Sequence, residues 1–350
     1  MTPTPARRLA EVAQKVGVSE ATVSRVLNSR PGVAAGTRES VLTALDVLGY
    51  ERPTQLRGER ARLIGLVLPE LQNPIFPALA EVVGGALAQR GFTPVLCTRT
   101  ADGLSESDYV DMLLDQHVSG VVFCGGHYAE ADAPHDHYRR LRDRGVPVVL
   151  FNAAIEHLGF PCVSTDDEVA SEQSYRHLAS LGHSRIALVV GPEDHMPTQR
   201  RIAAFLAQAE RGGGKVSVFV ERVQFSMEGG RAATTRALKH DVTAVVCGSD
   251  ILALGAIRAV RRSGMDVPRD VSVVGFDDSG FMNCTDPPLT TVRQPIEAMG
   301  RAAVTLLLNQ VEGDGTTPEE LLFEPELVVR GSTGQVRRAA LVWSPLQPLA

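Results

Sequence analysis

The sequence has 350 residues, more than a single domain can be assumed to hold, and its 44% hydrophobic content is ample for buried cores. No apolar run approaches the ~18 residues of a membrane helix, and the N-terminal MTPTPARR lacks the apolar centre of a signal peptide. Five cysteines without a CxxC pair favour free buried thiols over a disulfide framework. We therefore expect a cytoplasmic protein with no membrane partner.

Charge is divided unevenly along the chain. The formal net charge is −6, but residues 1–62 carry ten Lys or Arg and six Asp or Glu, which makes that segment +4 and the remainder −10. A basic segment on an acidic body fits contact with phosphates through one end only.

The first predicted elements are two short amphipathic helices joined by a tight turn. Apolar spacing predicts a helix over residues 9–16, Gly17 ends it, and Ser19 is placed to cap a second helix over residues 20–28. Such a pair is either an ordinary helical hairpin or a helix-turn-helix, whose second helix enters the DNA major groove. A third predicted helix over residues 36–48 completes a small domain and favours the helix-turn-helix.

The second helix carries the candidate DNA contacts, because its first residues reach base edges and hydroxyls near its start bind phosphates. The candidates for reading bases are Glu20, Ala21 and Arg25, of which Arg25 offers a fork that matches guanine. The candidates for phosphates are Ser19, Thr22, Ser24 and Asn28. Arg25 could instead be an ordinary exposed arginine, and Thr22 and Ser24 could be ordinary polar surface. Glu20 could act only by favouring the N-terminus of the helix.

Residues 51–62 are polar and basic and are interpreted as a linker. From residue 63 onward, short apolar runs alternate with amphipathic helical stretches, which predicts parallel sheets covered by helices on both faces. Strands are expected at 63–68, 93–97, 120–124, 147–151, 185–190, 216–220, 243–247 and 271–275. Helices are expected near 76–90, 106–116, 135–144, 168–181, 198–211, 228–239, 250–263 and 296–311. The joint near 180–192 favours two similar lobes over one sheet.

A cleft between two such lobes is the natural ligand site, at the carboxyl ends of strands. Side chains that follow strands, or lie on the next helix, are the candidates: Asn73, Phe76, Asn152, Arg201 and Asp250. Each also has an ordinary structural explanation. The aspartate could be only a helix N-cap, Asn152 a turn residue, the arginine a surface charge and the phenylalanine plain core.

Catalysis and metal binding fit the sequence poorly. Asp277 and Asp278 are adjacent at a strand end and should point apart, and His127, His135 and His137 lack a sound ligand spacing. Neither GxGxxG nor GxxxxGK[ST] occurs. We expect no enzyme activity, no cofactor and no metal.

Several sequence words resemble one family. GVSEATVSRVLN, TRESV and LGY are similar to the headpiece of the LacI/GalR repressors, and IGLVLPELQNPIF, LGHSRIALVVGP, VVCGSDILALGAIRA and VSVVGFDDS follow in the order of its periplasmic-binding-protein-like core. The resemblance implies a multidomain protein with an all-α helix-turn-helix headpiece and an α/β core of two doubly wound parallel-sheet lobes. The implied units are a DNA-binding domain (1–50), a hinge (51–62), an effector-binding and dimerisation domain (63–333) and a tail (334–350).

The resemblance also implies roles for core residues. Arg201 matches the family's effector-binding arginine, and Asp250 matches the aspartate of its A-N-D-x-x-A-x-G word, with Ser249 in place of the asparagine. With Asn152, these groups would hold hydroxyls, which favours a sugar or polyol. The only tryptophan, Trp343, lies in the tail, so no indole is expected to stack on a sugar ring.

The linker departs from the family pattern PN-x-x-A-R-x-L, in which a leucine wedges into the minor groove. Counting back from Ile64 puts Leu56 at the wedge position, but about three residues are missing before it. An apolar wedge can still act at a flexible base step. Pro53 and Gly58 disfavour a full helical turn around it.

The expected function is a ligand-responsive transcription repressor that binds near-palindromic operator DNA as a homodimer and whose effector is a small molecule, with a sugar favoured. The tail, with two prolines and no sustained heptad, should not form a tetramerising coiled coil. The alternatives are a solute-binding protein without DNA function and a Rossmann-type enzyme. The absence of a signal peptide and of a glycine fingerprint argues against them.

Overall fold

The computed structural model describes residues 5–27, 32–48, 62–99, 103–313 and 319–336. The N-terminal unit consists of α1 (Pro5–Val16), α2 (Glu20–Leu27) and α3 (Ala35–Val47). The three helices pack around a small apolar cluster of their own, in which Val12, Val23, Val26 and Val41 are fully buried. This unit, here called the headpiece, therefore has its own core.

Two six-stranded sheets form the rest of the described chain. The first, in the N-lobe, has the order β11-β5-β4-β3-β1-β2, and all of its pairs are parallel. Its strands are β1 (Leu63–Leu68), β2 (Thr93–Thr98), β3 (Gly120–Phe123), β4 (Val148–Phe151), β5 (Cys162–Thr165) and β11 (Glu320–Phe323).

The second sheet, in the C-lobe, repeats that plan in the order β12-β10-β9-β8-β6-β7. Only β12 runs antiparallel to its neighbour. Its strands are β6 (Arg185–Val190), β7 (Ser217–Arg222), β8 (Ala244–Cys247), β9 (Ser272–Asp277), β10 (Thr290–Arg293) and β12 (Glu326–Val328).

Helices cover both faces of each sheet, as the nearly continuous burial of β1, β3, β4, β8 and β9 requires. They are α4 (Ile75–Gln89), α5 (Glu106–Asp115), α6 (Asp136–Asp143), α7 (Asp167–Ser180), α8 (Met196–Arg211), α9 (Met227–Ala237), α10 (Asp250–Arg262) and α11 (Ile296–Glu312). The predicted fold class, a helical headpiece with two doubly wound lobes, is confirmed.

The chain crosses between the lobes three times, after β5, β10 and β11. The second crossing returns α11 to the N-lobe, where Met299, Val304 and Leu307 join the core formed by β1, β3 and α4. These crossings form what is here called the hinge, which lies between the lobes and is distinct from the linker of residues 51–62. Because they leave from neighbouring strands on one side of each sheet, the strands β2 and β7 lie at the edges away from the hinge.

All eight predicted strands and the eight predicted core helices occur within about two residues of their expected bounds. The sequence did not reveal β5, β10, β11 and β12, which are three or four residues long and include polar runs such as CVST and TTVR. Four cysteines are buried as expected, whereas Cys284 is exposed because it lies in the loop between β9 and β10.

The C-terminal end of the described core lies against the C-lobe. The Val336 N–H donates to the Leu181 carbonyl (3.0 Å), and the Gly334 carbonyl lies 3.0 Å from His183 Nε2. Among the described residues, no helix combines the length and apolar character needed to cross a membrane.

Candidate functional site

The helix α2 presents a polar face beside a buried one. Its N-terminus is capped as predicted, because Ser19 Oγ accepts the Thr22 N–H at 3.2 Å. Val23 and Val26 anchor the opposite face in the headpiece core.

The predicted base readers share one accessible surface of α2. Glu20, Ala21 and Arg25 are exposed, and Thr22 and Ser24 are partly exposed. Ala21 and Arg25 are four residues apart and so lie on the same side of the helix. The other two predicted DNA contacts, Asn28 and Leu56, lie outside the described residues.

A cavity with a volume of about 330 Å³ lies between the two lobes. Residues just beyond strands of both sheets form its wall, as expected for a doubly wound fold. Four of the five predicted ligand residues line it: Asn73, Phe76, Asn152 and Arg201.

Arg201 on α8 is held in place from three sides. Its Nε donates to Asp167 Oδ1 (2.7 Å), its Nη1 donates to the Gly248 carbonyl (3.0 Å), and its guanidinium lies 3.6 Å from the centre of the Phe276 ring. A guanidinium fixed in this way offers its remaining N–H groups in one orientation.

Asp250 does not reach the cavity, contrary to its predicted role. Its Oδ1 accepts the Thr291 hydroxyl (2.6 Å), its Oδ2 accepts the Ser279 N–H (2.8 Å), and the residue is 0% exposed. Burial raises its pKa to about 6, against the opposing effect of those hydrogen bonds. The sequence placed this carboxylate correctly after β8, but its helix turns it into the core between β8, β9 and β10.

Asp277, at the end of β9, is the cavity-lining carboxylate at the hinge end of the cleft. Its Oδ1 accepts the Gln294 amide (2.7 Å), while its buried Oδ2 meets no donor in hydrogen-bonding geometry among the described residues. The Asn73 side chain, also in the cavity wall, lies close enough to lower the pKa of this carboxyl. Burial and the neighbouring Asp250 raise its pKa well above the usual range, and Arg201 partly opposes this. Asp278 points away and pairs with Arg330, as expected for adjacent strand residues.

Gln294 joins the two lobes at the hinge. Besides donating to Asp277 of the C-lobe, it accepts at Oε1 from Thr165 Oγ1 (2.7 Å) and Asn152 Nδ2 (3.3 Å) of the N-lobe. Asn152 also accepts the Thr165 N–H at 3.0 Å, at a positive φ of 61°. The cavity carboxylate is therefore hydrogen-bonded directly to the hinge.

Aromatic side chains contribute to the cavity wall, although the described ranges contain no tryptophan. Phe76 and Phe225 line the cavity from opposite lobes, and His195 packs edge-on against Phe225. His195 Nδ1 accepts the Thr198 N–H (3.3 Å), and burial together with the charge of Arg201 lowers its pKa to about 4. The neutral ring therefore carries its proton on Nε2, where it can donate to a ligand.

One cluster of potential metal ligands lies behind the cavity wall. Glu106, His127 and His137 place one ligand atom each within 4.8 Å of one another, whereas His135 is not part of this group. Glu106 Oε1 accepts from His137 Nε2 (2.9 Å) and from the Tyr138 hydroxyl, and Oε2 accepts the His127 N–H (3.3 Å). Burial raises the pKa of Glu106, but these bonds outweigh it and the pKa lies below its usual value. Hydrogen bonds thus link the three side chains to one another or to neighbouring residues.

Two family descriptions match the chain: bacterial regulatory proteins of the lacI family over residues 8–53, and a periplasmic binding protein-like domain over residues 175–333. The HTH-type transcriptional regulator MalR of Streptomyces coelicolor is 53% identical over 331 residues, covering 93% of this chain and 96% of MalR.

Two solved structures align over 95% of this chain and 100% of their own, each with a TM-score of 0.70. They are the transcriptional regulator CelR in complex with cellobiose, at 33% identity, and the lac repressor dimer bound to operator and the anti-inducer ONPF, at 29% identity. A helix-turn-helix headpiece on a two-lobed core thus defines a DNA-binding transcriptional regulator. The chain belongs to the lacI family of bacterial regulatory proteins.

Proposed function

We propose that a hydroxyl-rich small molecule, a sugar or polyol, binds in the cleft between the lobes and sets the affinity of the headpiece for operator DNA. The observation that carries this proposal is Asp277 Oδ2, a buried carboxylate oxygen in the cavity wall without a partner among the described residues. A buried acceptor left without a donor is costly, and a ligand hydroxyl supplies the donor.

The surrounding groups fit the same chemistry. Arg201 and the His195 Nε2–H donate to ligand oxygens, and Asn73 and Ser249 offer further polar atoms on the cavity wall. Phe76 and Phe225 supply apolar faces for the carbon–hydrogen side of a sugar ring. CelR, a solved relative, is named in complex with cellobiose, which agrees with this class of ligand.

Asp250 has a supporting role in this proposal. It accepts hydrogen bonds from the Ser279 N–H, in the loop after β9, and from the Thr291 hydroxyl, on β10. Asp277 is the last residue of β9, and Gln294 directly follows β10. Asp250 therefore positions the ligand-binding carboxylate without touching the ligand.

The switch follows from the connection of the site to the hinge. A ligand can change DNA affinity only if it favours one arrangement of the lobes over another. Binding at Asp277 acts on Gln294, and Gln294 holds Asn152 and Thr165 of the other lobe. The bound ligand thus selects a lobe arrangement, which the linker of residues 51–62 passes to the headpiece.

For DNA we propose that Glu20, Ala21 and Arg25 read bases, and that Ser19, Thr22, Ser24 and Asn28 contact phosphates, with Leu56 as a minor-groove wedge. The accessibility of the α2 face supports these roles for Ser19, Glu20, Ala21, Thr22, Ser24 and Arg25, and Asn28 lies outside the described residues. The protein acts as a homodimer on a near-palindromic operator, in line with the operator-bound lac repressor dimer. We propose a DNA-binding domain over residues 1–50, a linker over 51–62 and a core that begins at residue 63. The core extends beyond the expected residue 333 to residue 336, because the Val336 N–H donates to the Leu181 carbonyl.

The test begins with sequences selected from random duplex DNA by the full chain. Operator binding is then followed by fluorescence anisotropy against salt concentration and against a panel of sugars and polyols. We expect a steep fall in affinity with salt and a change of at least about 10-fold with one panel compound, which is about 1.4 kcal/mol of coupling. A protein that selects no DNA sequence, or an operator complex that no panel compound changes, would overturn the proposal.

A further inference from the structure

The cleft is longer than a single sugar ring. In the N-lobe sheet, the cavity-lining residues Asn152 and Arg99 follow β4 and β2, which are three strand intervals apart. Neighbouring strands are spaced about 4.8 Å, so these two positions are about 14 Å apart along the sheet edge. The C-lobe wall spans even more strands, from Gln294 after β10 to Phe225 after β7.

A six-membered sugar ring covers less than half of that length. With carbon–carbon bonds of about 1.5 Å, hydroxyl oxygens on opposite ring carbons are about 6 Å apart. A ring held by Asp277 and Gln294 at the hinge therefore leaves the part of the cleft below β1 and β2, where Arg99 lies, for other groups of the ligand. The cavity volume of about 330 Å³ is at the low end for small-ligand sites, which favours a short ligand over a long chain.

The outer end of the cleft has its own set of polar groups. Glu70 follows β1 and Arg99 follows β2, and both are partly buried in the cavity wall. Arg99 Nη1 donates to His127 Nε2 at 2.6 Å, which fixes the guanidinium. Within the described part of the chain, no further hydrogen bond is seen from the Arg99 guanidinium or to the Glu70 carboxylate. Burial raises the pKa of Glu70, and the nearby charge of Arg99 opposes this. An oriented cation and a free acceptor are thus placed side by side in a partly buried wall.

The support behind Arg99 is built into the lobe. His127 is held through its main-chain N–H by Glu106, whose carboxylate is fixed by His137 and Tyr138. Gly126, at φ +143°, lets the chain pass Glu106 where a Cβ would overlap its carboxylate. The buried cluster therefore orients a cavity residue, as expected of a supporting shell.

Resting on the proposed function, we propose that the effector is a disaccharide, with one unit held at Asp277, Arg201 and Gln294 and the second unit bound at a separate outer subsite formed by Glu70 and Arg99. Arg99 donates to hydroxyl or ring oxygens of the second unit, and Glu70 accepts from its hydroxyls. Phe225, after β7, faces this end from the opposite lobe. Arg99 is thus a specificity-determining residue for ligand length.

Isothermal titration of the full chain with matched sugars tests this subsite. The probes are maltose, cellobiose, lactose and trehalose, their constituent monosaccharides glucose and galactose, and maltotriose. We expect one disaccharide to bind at least about 30-fold more tightly than its own monosaccharides, since the outer subsite adds hydrogen bonds to charged groups. A monosaccharide that binds as tightly as every disaccharide would overturn the subsite while leaving the proposed function intact.

Variants separate the two ends of the cleft. Arg99→Ala should weaken the disaccharide by about 10- to 100-fold and change monosaccharide affinity less than about 3-fold. Glu70→Gln should act in the same direction and more weakly, and Arg90→Ala, an exposed arginine at the end of α4, should change neither affinity. Equal losses for both sugars in Arg99→Ala, with an unchanged melting temperature, would contradict a separate subsite. Failure of every sugar to bind would overturn this inference and the sugar class of the proposed function together.

Discussion

The headpiece and the cleft hold their functional groups in opposite environments. On α2, Arg25 and Glu20 project from an exposed face, and the buried residues beneath them are apolar. In the cleft, Asp277 and Arg201 are largely buried and tied to neighbours by hydrogen bonds. A polymer with a charged backbone can be read by exposed groups, whereas a small uncharged molecule needs desolvated, oriented ones. The two regions should therefore respond to mutation and pH in different ways.

The first prediction, with the largest expected effect, compares DNA binding by the headpiece with sugar binding in the cleft. Arg25→Ala removes the proposed base contact, worth about 1–3 kcal/mol in each half-site, so a dimer should lose about 30-fold or more of its preference for operator over random DNA. Sugar affinity should be unchanged because the cleft is intact. The measurement is competition anisotropy with both DNAs, with Arg211→Ala, an exposed arginine on the core, as the control. Retained operator preference would remove Arg25 from its role.

The second prediction uses the buried charge of the cleft region. The Asp250 carboxyl titrates near 3.8 when unfolded and at about 6 when folded, so its contribution to stability is complete below pH 3.8 and is lost as the pH rises through 6. Asp250→Asn keeps both hydrogen bonds, because Thr291 can accept from the amide. The free energy of unfolding of the variant relative to wild type should rise by about 2–3 kcal/mol between pH 4 and pH 7.5. Urea unfolding at both pH values checks this.

If the difference in the free energy of unfolding between Asp250→Asn and wild type is the same at both pH values, Asp250 does not titrate as a buried group. The headpiece supplies the matched control. Glu20→Gln changes an exposed carboxylate on α2, and its difference from wild type should stay within about 0.5 kcal/mol at both pH values.

The third prediction tests the connection between the cleft and the hinge. Gln294→Ala removes the hydrogen bonds that join Asp277 to Asn152 and Thr165. Operator affinity without sugar should remain within about 3-fold, while the change in affinity caused by sugar should shrink by about 10-fold, a typical coupling of 1–3 kcal/mol. Operator titrations at zero and saturating sugar measure both quantities. A variant that binds sugar and responds fully would place the switch elsewhere.

The smallest expected effect lies in the headpiece. Ser19→Ala removes the cap of α2 and should destabilise the headpiece by about 1 kcal/mol, with no change in sugar affinity. Ser40→Ala, which removes a hydroxyl bonded to the preceding helical turn of α3, should be near neutral and serves as the control. Amide hydrogen exchange of α2 reports the difference. Equal protection of the α2 amides from exchange in both variants would show that the Ser19 cap does not stabilise the headpiece.

The alternation of apolar runs and helical stretches was sufficient to predict the fold, because parallel strands buried on both faces have a distinct pattern. The same pattern located the cleft, since the residues after strands line it, and Asn73 and Asn152 were found in this way. Glu70 and Arg99 also directly follow strands. Their place at the outer end of the cleft could be recognised only from the strand order, which puts β2 at the outer edge of the sheet.

Two carboxylates show where sequence alone was insufficient. Asp250 and Asp277 both lie at strand ends, and the pattern cannot tell which one faces the cavity. The choice is made by contacts distant in sequence, since Ser279 and Thr291 satisfy Asp250 and leave the Asp277 Oδ2 without a partner. Glu106 escaped notice beside His127 and His137 for the same reason, because it comes from a different helix.

The most direct test is the operator dissociation constant of the full chain, measured for wild type and Asp277→Asn with and without the panel sugar that binds wild type most tightly. The variant keeps the size of the side chain and leaves the headpiece untouched. We expect wild-type affinity to change at least about 10-fold with sugar. The variant should bind operator as sugar-free wild type does and should ignore the sugar at concentrations that saturate wild type. An Asp277→Asn protein that responds to sugar as wild type does would contradict the assignment of this cleft as the effector site.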